Sequence, residues 1–60
     1  MDGTEIRELR HKLGLSQREL GEKIGSTKTS VYKWESKRSN PHRMFIAKLE
    51  ELAESLTKSK

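Results

Sequence analysis

Lys28, Thr29, Tyr32, Lys33 and Ser36 are spaced so that one helix carries them on its outer side, two cations among groups able to exchange hydrogen bonds. That mixture suits a polyanion that also presents donors and acceptors, and the face reads as one that docks onto DNA. Other chemistries have less to work with. With no cysteine in the chain, neither a disulfide framework nor a cysteine zinc site can supplement the core. His11 and His42 lie in different segments and read as exposed polar residues, not as metal ligands. Ser16 and Ser26 are better explained as helix caps than as nucleophiles. The expectation is a chain that is not an enzyme, with no metal, no cofactor and no small-molecule ligand.

The stretch SQRELGEKIGSTKTSVYKWE, residues 16–35, must position that face. Leu20 and Ile24 share one side of a first helical pattern, and Val31 and Trp34 share one side of a second. Gly25 falls between them, where a helix leaves through positive φ, and Gly21 removes a side chain where the two helices cross. This is a helix-turn-helix pattern. Trp34 points inward by its spacing from Val31, so it belongs to the core and does not serve as a base-stacking platform.

Sixty residues allow one domain, 1–60, near the lower size limit for folding without staples. Apolar residues make up 30% and charged residues 37%, so the spacing of the apolar residues has to decide between order and disorder. It decides for helices. A compact all-α domain of four is predicted, over 3–13, 17–24, 28–36 and 41–56, with a frayed tail at 57–60. The net charge of +4 is unevenly distributed. From Lys23 to Arg43 six lysines and arginines oppose the single Glu35, whereas from Met44 to Thr57 only Lys48 accompanies Glu50, Glu51 and Glu54. One side is thus aimed at a polyanion and the other end is turned away. The longest apolar run, Met44 to Ala47, is too short for a membrane span or a signal peptide, which predicts a cytoplasmic chain, at the nucleoid when bound to DNA.

The flanking helices carry their own signals. Asp2 and Thr4 are both candidate caps for the first, whose Ile6, Leu9 and Leu13 form one buried stripe and whose end falls at Gly14. Ser16 with Glu19 matches a capping box for the second, and Thr27 or Ser26 caps the third. Asn40 followed by Pro41 predicts the start of the fourth, since proline's missing N–H costs nothing at the first helical position. Phe45, Leu49, Leu52 and Leu56 then form its apolar stripe, widened by Ile46 and Ala53. That is more apolar surface than three short helices easily cover. Leu52, Leu56, Ile46 and Ala53 are therefore read as a homodimer surface.

Arg10, Leu13-Gly14-Leu15, Ser16-Gln17, Leu20-Gly21, Gly25, Val31, Trp34-Glu35 and Pro41 run in one order without a gap. From about Ile6 to Pro41 the chain resembles the helix-turn-helix family of the lambdoid phage repressors and Cro, found also in small bacterial regulators and antitoxins. The resemblance implies a DNA-binding regulator of transcription, a repressor, whose third helix enters the major groove of double-stranded DNA. It implies that Lys28, Thr29 and Lys33 read base edges, with Tyr32 either joining them or lying along the sugar-phosphate backbone. The side chains fit: lysine can donate to O6 and N7 of guanine, and threonine can meet the thymine methyl.

By the same resemblance Gln17 touches a phosphate at the start of the second helix, with Ser16 and Thr27 beside the backbone. Ser36, Lys37, Arg38, Asn40 and Arg43 follow the backbone after the third helix and supply affinity more than specificity. Arg10 and Glu35 match an internal ion pair between the first and third helices. The sequence departs from the family pattern at Gly21, commonly alanine, at Ser26, commonly a branched aliphatic, and at Lys37, where a glycine often ends the third helix. The rival reading is an antitoxin or adaptor that uses the leucines of the fourth helix to bind a partner protein.

Overall fold

The structure, a computed structural model, describes residues 1–57. Four helices follow in order, α1 (Gly3–Leu13), α2 (Gln17–Ile24), α3 (Lys28–Glu35) and α4 (Arg43–Thr57), with no strand among the described residues. The fold is all-α, as the apolar spacing requires. Thr57 still belongs to α4, and the remainder of the expected frayed tail, 58–60, lies outside the described residues.

Each of the first three helices starts where a side chain satisfies its free N–H groups. The Asp2 carboxylate accepts from the Glu5 N–H at 2.9 Å while the Glu5 carboxylate accepts from the Asp2 N–H at 3.0 Å, so Asp2 and not Thr4 caps α1. Ser16 and Glu19 make the same reciprocal pair on α2, at 3.1 and 2.8 Å. Thr27, not Ser26, caps α3, its hydroxyl accepting from the Ser30 N–H at 3.1 Å.

The helix ends follow one scheme with one exception. α1 and α2 leave through Gly14 and Gly25, at φ 69° and 79°. The next N–H reaches back to close the last turn, Leu15 to the Arg10 carbonyl at 3.1 Å and Ser26 to the Gly21 carbonyl at 2.7 Å. α3 closes in the same way, with Lys37 donating to the Trp34 carbonyl at 3.1 Å and Arg38 to the Lys33 carbonyl at 2.9 Å. Here the left-handed position is held by Lys37, at φ 65°. Ser36, expected as the last residue of this helix, is its cap instead, which shortens the helix by one residue.

The start of α4 corrects the sequence reading. Asn40 and Pro41 do not open it, and the helix begins at Arg43. Pro41 is buried and lies two residues before the first helical position. His42 takes over the capping position. Its carbonyl accepts from Phe45 and Ile46 at 2.8 and 3.0 Å, and its Nδ1 accepts from the Met44 N–H at 3.3 Å.

Ile6, Leu9, Leu20, Ile24, Val31, Trp34 and Leu49 form the buried core, edged by Leu13, Leu15, Phe45, Leu52 and Ala53. Trp34 lies tilted against Phe45, with ring centroids 5.6 Å apart, which ties α3 to α4. Side chains of this size each contribute about 1.5–3 kcal/mol on full burial. Two glycines let backbones meet. A Cβ on Gly21 would lie 2.7 Å from the Thr27 carbonyl carbon, and one on Gly3 would collide with the Trp34 carbonyl oxygen. Gly21 seats the turn against α2, and Gly3 seats the start of α1 on the end of α3. Only Leu49 of the α4 stripe is fully covered; Leu56, near the far end, keeps 37% of its surface exposed.

Candidate nucleic-acid interface

With Val31 and Trp34 locked inward, the period of α3 leaves Lys28, Thr29, Tyr32 and Lys33 exposed on its other side. No acid stands in the first turn of that helix. The loop beyond it places Lys37, Arg38 and Asn40 in solvent as well, and Arg43, the first residue of α4, is also exposed. Arg38 lies with its guanidinium carbon 5.9 Å from the centre of the Tyr32 ring, a cation–π approach that links the helix to the loop.

The one carboxylate within this basic half is neutralised. Arg10 Nε donates to Glu35 Oε2 at 2.7 Å and Arg10 Nη2 to Glu35 Oε1 at 3.1 Å, a two-pronged pair joining α1 to the last residue of α3. Arg10 Nη1 also donates to the Leu15 carbonyl at 3.1 Å, which pins the loop before α2. The two side chains are 13% and 7% exposed. Burial pushes the Glu35 carboxyl upward, but hydrogen bonds from Arg10 and Gln17 and the charges of Arg10 and Arg7 outweigh it and hold the group below its ordinary range. The hydrogen bond to Glu35 raises the Arg10 pKa, and burial opposes it.

Gln17 has a partner that the sequence reading did not assign. Its side-chain Nε2 donates to Glu35 Oε1 at 3.2 Å, so half-buried Gln17 joins the start of α2 to the end of α3 and keeps a second N–H for another acceptor. The hydroxyls of the proposed phosphate set differ in what they have left. Ser16 Oγ accepts from the Glu19 N–H, which leaves its own proton free. Thr27 directs its proton at Ser30 Oγ, 3.2 Å away, and Ser36 donates to the Tyr32 carbonyl at 2.9 Å.

Arg7, Arg10, Gln17, Tyr32, Glu35 and Ser36 line an open cleft of about 290 Å³ where α1, α2 and α3 converge. Arg7 was missed in the sequence, although it lies one helical turn before Arg10 and so on nearly the same side of α1.

Residues 6–58 match a family pattern described as helix-turn-helix, and the match covers nearly the whole chain. The chain belongs to the Cro/C1-type helix-turn-helix family. Members of this family are DNA-binding regulators and are not typically enzymes. Comparison with curated proteins and with solved structures finds no match. The family match spans the α2–turn–α3 unit whose exposed face is basic, so the DNA-binding assignment and the electrostatics agree. No described helix is long and apolar enough to cross a membrane, and no described group of His, Asp and Glu is arranged to hold a metal ion.

Proposed function

We propose that this chain represses transcription by binding a specific double-stranded DNA site, with α3 in the major groove. The observation that carries the reading is the exposed face of α3, basic and free of acids while its opposite side is fixed in the core. A rigid helix that keeps its polar side chains free can match base edges without first giving up internal bonds. Lys28, Thr29 and Lys33 read bases, and Tyr32, 46% exposed, reaches either a base edge or the backbone. Ser16, Gln17, Lys37, Arg38, Asn40 and Arg43 hold phosphates. Thr27 and Ser36 join them only by giving up bonds within the chain.

One copy offers a small reading surface, so specific binding uses two copies on a repeated or palindromic site. The homodimer surface is the flank of α4, where Ala53 and Leu56 line a second cleft, of about 260 Å³, with Met1 and Leu9 of the N-terminal part. Ile46 and Leu52, both partly covered, extend it. The same exposed leucine favours the second reading, an antitoxin or adaptor that binds another protein through α4.

Selection of bound duplexes from a random pool at about 0.15 M salt, where exposed charges are largely screened beyond a Debye length, separates the two readings. Enrichment of one motif, single or doubled at fixed spacing, is the expected result. A folded protein that enriches nothing would overturn sequence-specific repression and direct attention to α4.

A further inference from the structure

The cleft between α1, α2 and α3 has a charge that the internal ion pair does not account for. Arg10 and Glu35 cancel each other, and Arg10 already directs its donors to Glu35 and Leu15. Arg7 remains. It is exposed, lines the cleft, and makes no hydrogen bond or ion pair among the described residues. Its side chain lies on the cleft side of α1, and its charge helps to hold the Glu35 carboxyl low. The cleft is also lined by Tyr32 of α3, by Ser36 at the cap of that helix and by Gln17 at the start of α2. A net single positive charge therefore faces an open recess that borders the proposed reading helix.

We propose that Arg7 binds one backbone phosphate of the duplex at this cleft, with Tyr32 and the second N–H of Gln17 beside it, an inference that rests on the DNA-binding reading above. A guanidinium offers two parallel donors to a phosphate, and this one loses no internal partner on binding. The contact brings α1 into the interface, so the duplex is held from both sides of the ion pair that joins α1 to α3. Because a phosphate carries no base identity, the contact adds affinity for any sequence and not specificity.

The test is a salt titration of duplex binding by the full chain, comparing wild type with Arg7→Gln, Arg7→Lys and Lys12→Gln. Lys12 is on the same helix but lines the cleft beside α4, so it controls for the loss of one charge. Arg7→Gln should flatten the slope of log affinity against log salt by about 0.9 and weaken selected and random duplexes by the same factor, whereas Arg7→Lys keeps the slope. Lys12→Gln should leave the slope unchanged. If Arg7→Gln binds with the wild-type slope, or no more weakly than Lys12→Gln, Arg7 holds no phosphate, while the DNA-binding reading stands. If wild type itself binds no duplex at low salt, both fail together.

Discussion

Glu35 is where stability and DNA binding would conflict if it stood alone, since a bare carboxylate beside the α3 face would repel phosphate. Three hydrogen bonds from Arg10 and Gln17 remove the conflict. Because its folded-state pKa lies below the ordinary value of 4.5, Glu35 contributes stability that is complete above that value and is lost as the pH falls through the lower folded-state value. Urea unfolding from pH 7 downward should show this acid loss in wild type, and Glu35→Gln should remove the Glu35 share of it. Glu35→Ala leaves the half-buried Arg10 without its partner and should cost about 1–3 kcal/mol at pH 7. At the reading face the expected effects divide by residue. Lys33→Ala should weaken the selected site by about 1–3 kcal/mol and random DNA much less, whereas Arg38→Ala should weaken both alike. Titrations on the two duplexes check this, and equal losses for both variants on both would refute the division of roles.

At the scale of elements, the geometry of α2 against α3 depends on one absent side chain. Alanine is commoner at the position of Gly21 in the resembling family and is the better helix former by about 1 kcal/mol. In this chain its Cβ would press on the backbone at Thr27, which cannot swing aside as a flexible side chain can. Gly21→Ala should therefore destabilise the fold by about 1 kcal/mol or more despite its helix propensity, and tilt α3 enough to weaken specific binding. Thermal unfolding gives the first answer: a higher midpoint would mean that the turn yields easily. Lys37 invites the opposite change. A lysine at φ 65° is strained where glycine is not, and Lys37→Gly should stabilise the fold by about 1 kcal/mol, a rise of several degrees in the unfolding midpoint. The same variant should lose about 0.9 of salt slope if Lys37 meets a phosphate.

For the molecule as a whole, the asymmetry of charge matches the asymmetry of cover. The acidic end of α4 carries the least covered leucine, and the basic half carries the exposed face of α3 proposed to read DNA. If two copies act together through α4, sedimentation at rising concentration should show a dimer that Leu56→Lys disperses without loss of helicity. A monomer at every concentration would leave pairing to the DNA or to a partner protein.

Local rules determined most of the helices. Ser16 and Glu19 satisfy each other's backbone N–H over three residues, Gly14 and Gly25 can turn where other residues resist, and the spacing of Leu20, Ile24, Val31 and Trp34 leaves one inner side for each helix. Such interactions span a single turn, so the sequence by itself is enough to find them. The basic outer face of α3 is legible for the same reason, being what remains once Val31 and Trp34 point inward. Only the tertiary structure decided that α4 begins at Arg43 with Pro41 buried ahead of it, that Gly3 must lack a side chain because α3 ends on top of it, and that Gln17 turns to Glu35. It alone brought Arg7 to the cleft beside Tyr32. Those contacts join residues far apart in the chain, and which of them form depends on how the helices pack in three dimensions.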